Sequence, residues 1–302
     1  MTSRPAAASR SRRASRRRAC AGLLFVLPAV CFTLVFFVVP LGMTIWMSLN
    51  DWPLLQKPHF VGLANYASLL HDDSFWSSLL FTVEYTLAVT PPLFLVAFGL
   101  ALLVQRRAPL VGIFRTAYFL PVVIGMAVAS LLWVWLLNDQ VGVISDVLMK
   151  LRIVDEPLQW LDTTQSALAA IVVMVLWKAS GFIMVLLLVG IQAIPEELGE
   201  AARIDGASWS QRLYHITLPL LRRTFALALV ISIIGSFLAF EQFFILSHGG
   251  PRNSTISVVY RIYREAFTAF HLGYASAMSV ILLAILVSLS VLQLWLLREQ
   301  DA

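Results

Sequence analysis

Ile194-Pro-Glu-Glu-Leu-Gly-Glu-Ala-Ala-Arg-Ile-Asp-Gly-Ala-Ser-Trp-Ser-Gln-Arg-Leu-Tyr-His-Ile-Thr-Leu-Pro219 is a polar stretch set between two long apolar ones. Pro195 suits the first position of a helix, and Glu196 and Glu197 complement the positive end of its dipole. Glu200, Ala201 and Ala202 follow on that helix, and the small alanines let another surface approach closely. Gly206 can take the left-handed conformation that ends a helix. Ser208 and Gln211 then make a capping box for a second short helix, which Pro219 ends as it begins the next long one. The spacing predicts helix, sharp turn, helix. An ordinary amphipathic connector would have much the same pattern.

On both sides of this loop the chain lacks the charges that a soluble fold carries. A membrane-spanning helix needs roughly 20 apolar residues, and six intervals satisfy that length. Residues 19–50, 116–138 and 266–297 hold no Asp, Glu, Lys or Arg. Residues 74–105, 163–195 and 224–251 hold one each: Glu84, Lys178 and Glu241. The expected architecture is therefore all-α and polytopic, with spans near 22–47, 77–104, 116–137, 166–190, 224–246 and 274–297. The first apolar run is longer than the apolar core of a signal peptide and is expected to remain as a span.

Composition agrees with a membrane protein, since 59% of the 302 residues are hydrophobic and only 13% are charged. The net charge of +5 comes from the first 18 residues, where seven arginines lie between Arg4 and Arg18. This basic tail is expected either to meet anionic membrane lipid or to have no partner. No aromatic residue interleaves it, so nucleic-acid binding is not expected. Fifteen basic residues flank the spans on the side of the amino terminus and six on the other, which puts both termini in the cytoplasm. Between Gly250 and Gly273, Val258, Val259, Ile262, Tyr263, Ala266, Phe267 and Phe270 recur at helical spacing opposite Arg261, Arg264 and Glu265. That pattern predicts a short surface helix, an anchor for the last span before a lip for a docking partner.

Several chemistries are disfavoured. The three lysines follow Gln56, Met149 and Trp177, whereas a phosphate-binding P-loop needs lysine after glycine. The histidines, His59, His71, His215, His248 and His271, have no second ligand at metal spacing, so no metal site is expected. Cys20 and Cys31 lie in the first apolar run, a poor setting for a disulfide. No nucleophile elbow or pair of catalytic carboxylates stands out, so no catalytic residue is expected.

Glu200-Ala201-Ala202, Gly206, Ile216, Leu218 and Pro219 resemble, at every position, the signature loop of the integral membrane subunits of bacterial ABC importers. Phe60 to Tyr66, Phe114 to Pro121 and Gly249-Gly-Pro251 are similar to stretches of the carbohydrate-uptake branch, the maltose, lactose and glycerol 3-phosphate permeases. The resemblance covers nearly all of the chain after the tail and implies the transmembrane domain of a type I ABC importer over residues 19–302. It implies a place in the bacterial inner membrane and a heterodimer with a sister permease. It also implies two separate ATPase subunits that bind ATP and Mg, this chain holding no cofactor, and an extracytoplasmic solute-binding protein.

By the same resemblance, residues 194–219 are a coupling loop. Glu200 is its polar contact to the ATPase, Gly206 its bend, and Ala201, Ala202, Asp205, Ile216, Leu218 and Pro219 complete it. The family's solute contacts map to Trp177, Lys178, Ser180 and Gly181 in the fourth span and to Ser232 and Ser236 in the fifth, with Phe240, Glu241 and Gln242 close by. The fifth span lacks the asparagines of the maltose-type subunit, which argues against maltose itself. Aromatic faces with scattered polar groups suit a sugar; Lys178 is expected either to pair with a carboxylate or carbonyl for stability or to line the path, where it would tolerate a phosphorylated polyol. Glu84, the third intramembrane charge, is read as structural. A secondary transporter or channel acting without an ATPase is the alternative, and it predicts inverted repeats and broken helices, neither of which is visible in the sequence. A structural or signalling membrane protein, with the loop a coincidence, is the third reading.

Overall fold

The computed structural model describes residues 25–53, 57–105, 111–156 and 158–298, without the side chains of 296–298. The basic tail, Cys20, Arg106, Arg107 and the Arg298 side chain lie outside the described residues.

Four helices are long and apolar enough to cross a membrane singly: α1 (Phe25–Ser48), α3 (Asp73–Val104), α7 (Thr164–Gln192) and α12, whose apolar part is Leu272–Trp295. Two bent pairs bring the total to as many as six, α4 (Val111–Val123) with α5 (Met126–Leu136), and α9 (Trp209–Leu220) with α10 (Arg222–Phe237). Shorter helices are α2 (Ala64–Leu70), α6 (Val143–Lys150), α8 (Glu196–Ile204) and α11 (Val258–Phe267). A two-residue ribbon, β1 (Asn50–Asp51) antiparallel to β2 (His59–Phe60), departs from the all-helical expectation in the loop after α1.

The two longest helices begin where the sequence supplies a cap. Asp72 accepts the amide of Ser74 at the head of α3, and Thr163 and Ser166 exchange side-chain and backbone bonds at the head of α7. At 32 residues, α3 is about 48 Å long at 1.5 Å per residue, well beyond a hydrocarbon core of about 30 Å. The α7 helix is central, with half of its apolar window buried, whereas none of the corresponding window of α1 is buried. It packs on α3, α4 and α10, while α1 lies against α12. One core cluster gathers Tyr85, Trp133, Ile171, Met174 and Phe243. A second, of Leu93, Ala97, Met184 and Leu187, continues along α3 and α7, and a third joins Phe75, Val258 and Met278.

Two spans differ from the unbroken helices read from the sequence. The third turns through 98° at Ile124 and Gly125. The fifth ends as regular helix at Phe237 and resumes at Glu241, passing into a π-helical turn at Phe243–Ser247. Charge-free length does not register a bend, so it hides both. Backbone groups freed at membrane depth need protein partners, and other elements supply them. Lys178 of α7 donates to the Val122 carbonyl at 3.0 Å, and Ser257 donates to the Ala239 carbonyl at 2.6 Å. Broken helices thus do not separate an ATP-driven permease from a secondary transporter.

The surface helix expected after Gly250 is α11. It is packed rather than free: Val258 is fully buried and its amide donates to Thr82 Oγ1 at 2.9 Å. Arg261 and Glu265, both half-buried, pair at 3.0 Å along it. Nearby, Tyr274 of α12 donates to Asp72 at 2.7 Å and ties that helix to the cap of α3. Burial disfavours the charge on Asp72, but the Tyr274 hydroxyl, the Ser74 amide and the Arg261 guanidinium outweigh it and hold the carboxyl below its usual range.

Candidate functional site

The loop read first from the sequence folds as α8, a sharp turn and α9. Pro195 stands one residue outside α8, as its N-cap, and Glu196 and Glu197 occupy the first turn. Gly206 has φ +80°, its amide donates to Arg203 at 3.1 Å, and the Ala207 amide donates to Ala202 at 2.8 Å. These two bonds close a Schellman motif, so the turn is fixed by the backbone itself. Ser208 then accepts the Gln211 amide at 3.3 Å while Gln211 Oε1 accepts the Ser208 amide at 2.7 Å.

Pro219 does not end the second helix. A π-helical turn at Leu213–Thr217 widens the backbone ahead of the proline, α9 continues to Leu220, and the 64° bend into α10 falls at buried Leu221. Glu200, Ala201, Asp205, Gly206 and Pro219 are exposed; Ala202, Ile216 and Leu218 are half-buried. Leu198, Trp209 and Tyr214 are also exposed, and Ile204 is 87% exposed. Two clefts flank the pair of helices. One, of about 240 Å³, is lined by Leu102, Gln105, Ile191, Trp209, Arg212 and Ile216, and the other, of about 390 Å³, by Ala202, Asp205, Gly206, Gln211 and His215. Leu102, Gln105, Trp209 and Arg212 were not singled out in the sequence, because only folding brings the ends of α3 and α7 against α9.

The intramembrane residues divide into two groups. Trp177 and Phe240 pack against the cluster of Tyr85, Trp133 and Phe243, with the Trp133 and Trp177 rings 6.1 Å apart. Gln242, 2% exposed, donates from Nε2 to the Tyr85 hydroxyl at 3.2 Å, while its Oε1 and the Trp133 Nε1 have no partner. Unpaired polar atoms at such depth cost about 1–3 kcal/mol each unless water or a solute meets them. Tyr85 and Trp133 were missed in the sequence, where each looks like one more aromatic residue in an apolar run.

Lys178 and Gly181 instead serve helix packing. A Cβ on Gly181 would stand 2.1 Å from the Tyr118 carbonyl oxygen, so only glycine lets α7 and α4 approach this closely. Ser180, Ser232 and Ser236 are buried, and Glu241 is half-buried. Glu84 is exposed on α3.

The family model for the binding-protein-dependent transport system inner membrane component matches residues 6–300. The chain is 35% identical over 278 residues to the sn-glycerol-3-phosphate transport system permease protein of Agrobacterium fabrum, covering 89% of this chain and 92% of that one. It is 33% identical over 282 residues to the trehalose/maltose transport system permease protein of Thermococcus litoralis, covering 92% and 94%. Its fold is similar to that of a chain in a bacterial alginate ABC transporter solved in complex with an alginate pentasaccharide-bound periplasmic protein. The TM-score there is 0.78 at 21% identity, over 92% of this chain and 93% of that one. The chain therefore belongs to the family of binding-protein-dependent transport system inner membrane components, the permease subunits of ABC importers, and is a transport component, not an enzyme.

Proposed function

We propose that this permease forms half of the translocation path for a sugar or sugar-like polyol, paired with a sister permease and fed by an extracytoplasmic binding protein. Two ATPase subunits, which bind ATP and Mg, drive it through the loop 194–219. Both termini face the cytoplasm on the side of that loop. Glu200 makes the polar contact, Ala201 and Ala202 let the ATPase surface approach, and Asp205 and Gly206 shape the turn. Ile216, Leu218 and Pro219 carry the motion into α10. Closure of the ATPase pair on ATP draws the two coupling loops together and rocks the spans outward.

One observation carries this reading: α8 and α9, joined by a Schellman turn and the Ser208–Gln211 capping box, hold Ile204, Leu198 and Tyr214 exposed at the surface. Apolar side chains presented on a rigid frame favour docking to a protein cleft.

Trp177, Phe240, Glu241 and Gln242 line the solute path with Ser180, Ser232 and Ser236. Tyr85 and Trp133 add polar groups from α3 and α5, whereas Lys178 and Gly181 shape the path by holding α4. Aromatic faces that stack on sugar rings beside a few hydroxyl and amide groups favour a neutral or singly phosphorylated polyol. The names of the two curated relatives fit that class.

The test is uptake into proteoliposomes holding the assembled transporter. Glu200→Lys is expected to abolish ATP-stimulated uptake of a labelled sugar or glycerol phosphate while leaving membrane insertion intact. Unchanged uptake in that variant, or wild-type uptake without any ATPase, would refute the assignment.

A further inference from the structure

The loop between α5 and α7 lies on the face opposite Glu200, because one span separates the two loops. It contains α6, and the two sides of α6 have different surroundings. Ile144 packs on the first core cluster, and buried Ser145 accepts a bond from Trp160 Nε1 at 3.2 Å. Across the helix from Ser145, Val143, Val147 and Leu151 lie one helical turn apart beside Ile144, with Val141 and Ile153 next to them, all exposed, and exposed Asp146 and Lys150 lie along their other edge.

The backbone holds this stripe in place. Arg152 adopts φ +55°, its amide donates to Met149 at 2.9 Å, and the Ile153 amide donates to Leu148 at 3.0 Å. These bonds form a Schellman motif with arginine where glycine is usual. Leu151 and Ile153 are thus fixed at the surface and are not a loosely placed loop end.

We infer that α6 is a membrane-surface helix whose Val143, Val147, Leu151 and Ile153 insert into the boundary between headgroups and acyl chains. The bilayer is favoured as the occupant by continuity. α5 leaves the membrane with Leu131, Leu132, Val134 and Trp135 exposed. The chain then folds back at once: Asn138 Oδ1 accepts the amides of Gln140 and Val141 at 2.9 and 3.0 Å, and its carbonyl accepts the Gly142 amide at 3.0 Å. This turn keeps Val143 close to the end of α5, and Trp135 is an amphipathic residue of the kind that marks the interface.

The size of the patch points the same way. A stable protein interface needs about 20–30 residues a side, whereas a handful of aliphatic residues suffices to dip an amphipathic helix into a leaflet. The attraction is apolar, since Lys150 and Arg152 are offset by Asp146, Asp155 and Glu156. It does not depend on the roles assigned to the Glu200 loop.

The experiment uses nitroxide spin labels on the assembled transporter in lipid nanodiscs, in a chain carrying Cys20→Ser and Cys31→Ser. Single labels at Val147→Cys and Leu151→Cys are compared with Asp155→Cys as the aqueous reference. Both stripe labels are expected to collide with oxygen at least several-fold more, relative to the water-soluble nickel complex, than the label at 155. A nickel preference at 147 and 151 like that at 155 overturns the inference. Shielding from both reagents overturns it too, by showing a protein partner over the stripe. Both positions are exposed, so labelling does not disturb packing.

Discussion

Gly181 and Gly235 are both helical glycines in adjoining spans, yet they differ in what surrounds them. The first has the backbone of Tyr118 and Phe119 against it, and the second has nothing within 4 Å. Gly181→Ala forces α7 and α4 apart and is expected to destabilise the fold by about 1–3 kcal/mol. Gly235→Ala gains helix propensity and is expected to be neutral or stabilising by up to about 1 kcal/mol. Thermal unfolding of the two variants in detergent separates them, and equal behaviour would contradict the close crossing. Asp72 gives a pH-dependent counterpart. Its carboxyl is held below its usual range in the fold, so its contribution is fully present above about pH 4, the unfolded value. That contribution is lost as pH falls through the lower folded value. The melting temperature of wild type is therefore expected to converge on that of Asp72→Asn only below about pH 4. Convergence near neutrality would mean that the Tyr274 hydroxyl and the Ser74 amide do not hold the charge.

Among the elements, the α8–α9 pair was the most legible. Its caps, turn and helical order are local features, readable from Glu196, Gly206, Ser208 and Gln211 without any tertiary contact. Gly206→Ala places a Cβ at φ +80°, a cost of about 1–2 kcal/mol, which corresponds to a roughly 5- to 30-fold shift in local opening. Trypsin cleavage at Arg203 is expected to accelerate by that factor, and Gly206→Asn to accelerate it less, since asparagine tolerates the left-handed region. The broken spans were the least legible. Pro121 and Gly125 flank the break in 116–137, and nothing marks the one in 224–246. Neither stretch shows what replaces the helical partners of Val122 and Ala239, because those groups come from Lys178 and Ser257, distant in sequence. Ser257→Ala leaves the Ala239 carbonyl and the Tyr260 amide without that hydroxyl. A loss of about 1–3 kcal/mol is expected in detergent unfolding. An unchanged melting temperature would mean that the break in the fifth span needs no support from α11.

Taken together, the spans make an assembly whose centre is α7 and whose rim is α1, an order that hydropathy could not supply because every apolar run looks alike before it is packed. If the Glu200 loop and both termini share the cytoplasm, a cysteine at Ser210, in a chain with Cys20 and Cys31 replaced, is expected to react with a membrane-impermeant maleimide only in inside-out vesicles. One at Asn253 is expected to react only in right-side-out cells. The opposite pattern would invert the assigned orientation. The sequence alone settled the helical membrane class and the helix, turn, helix order from Glu196 to Gln211. Both rest on features within one segment: the length between charges, a cap, a left-handed glycine. Tertiary packing alone could decide that the third and fifth spans break, that Lys178 and Gly181 hold a helix crossing, and that Tyr85 and Trp133 join Gln242 at the centre. Those outcomes depend on which segments meet, and local pattern does not record them.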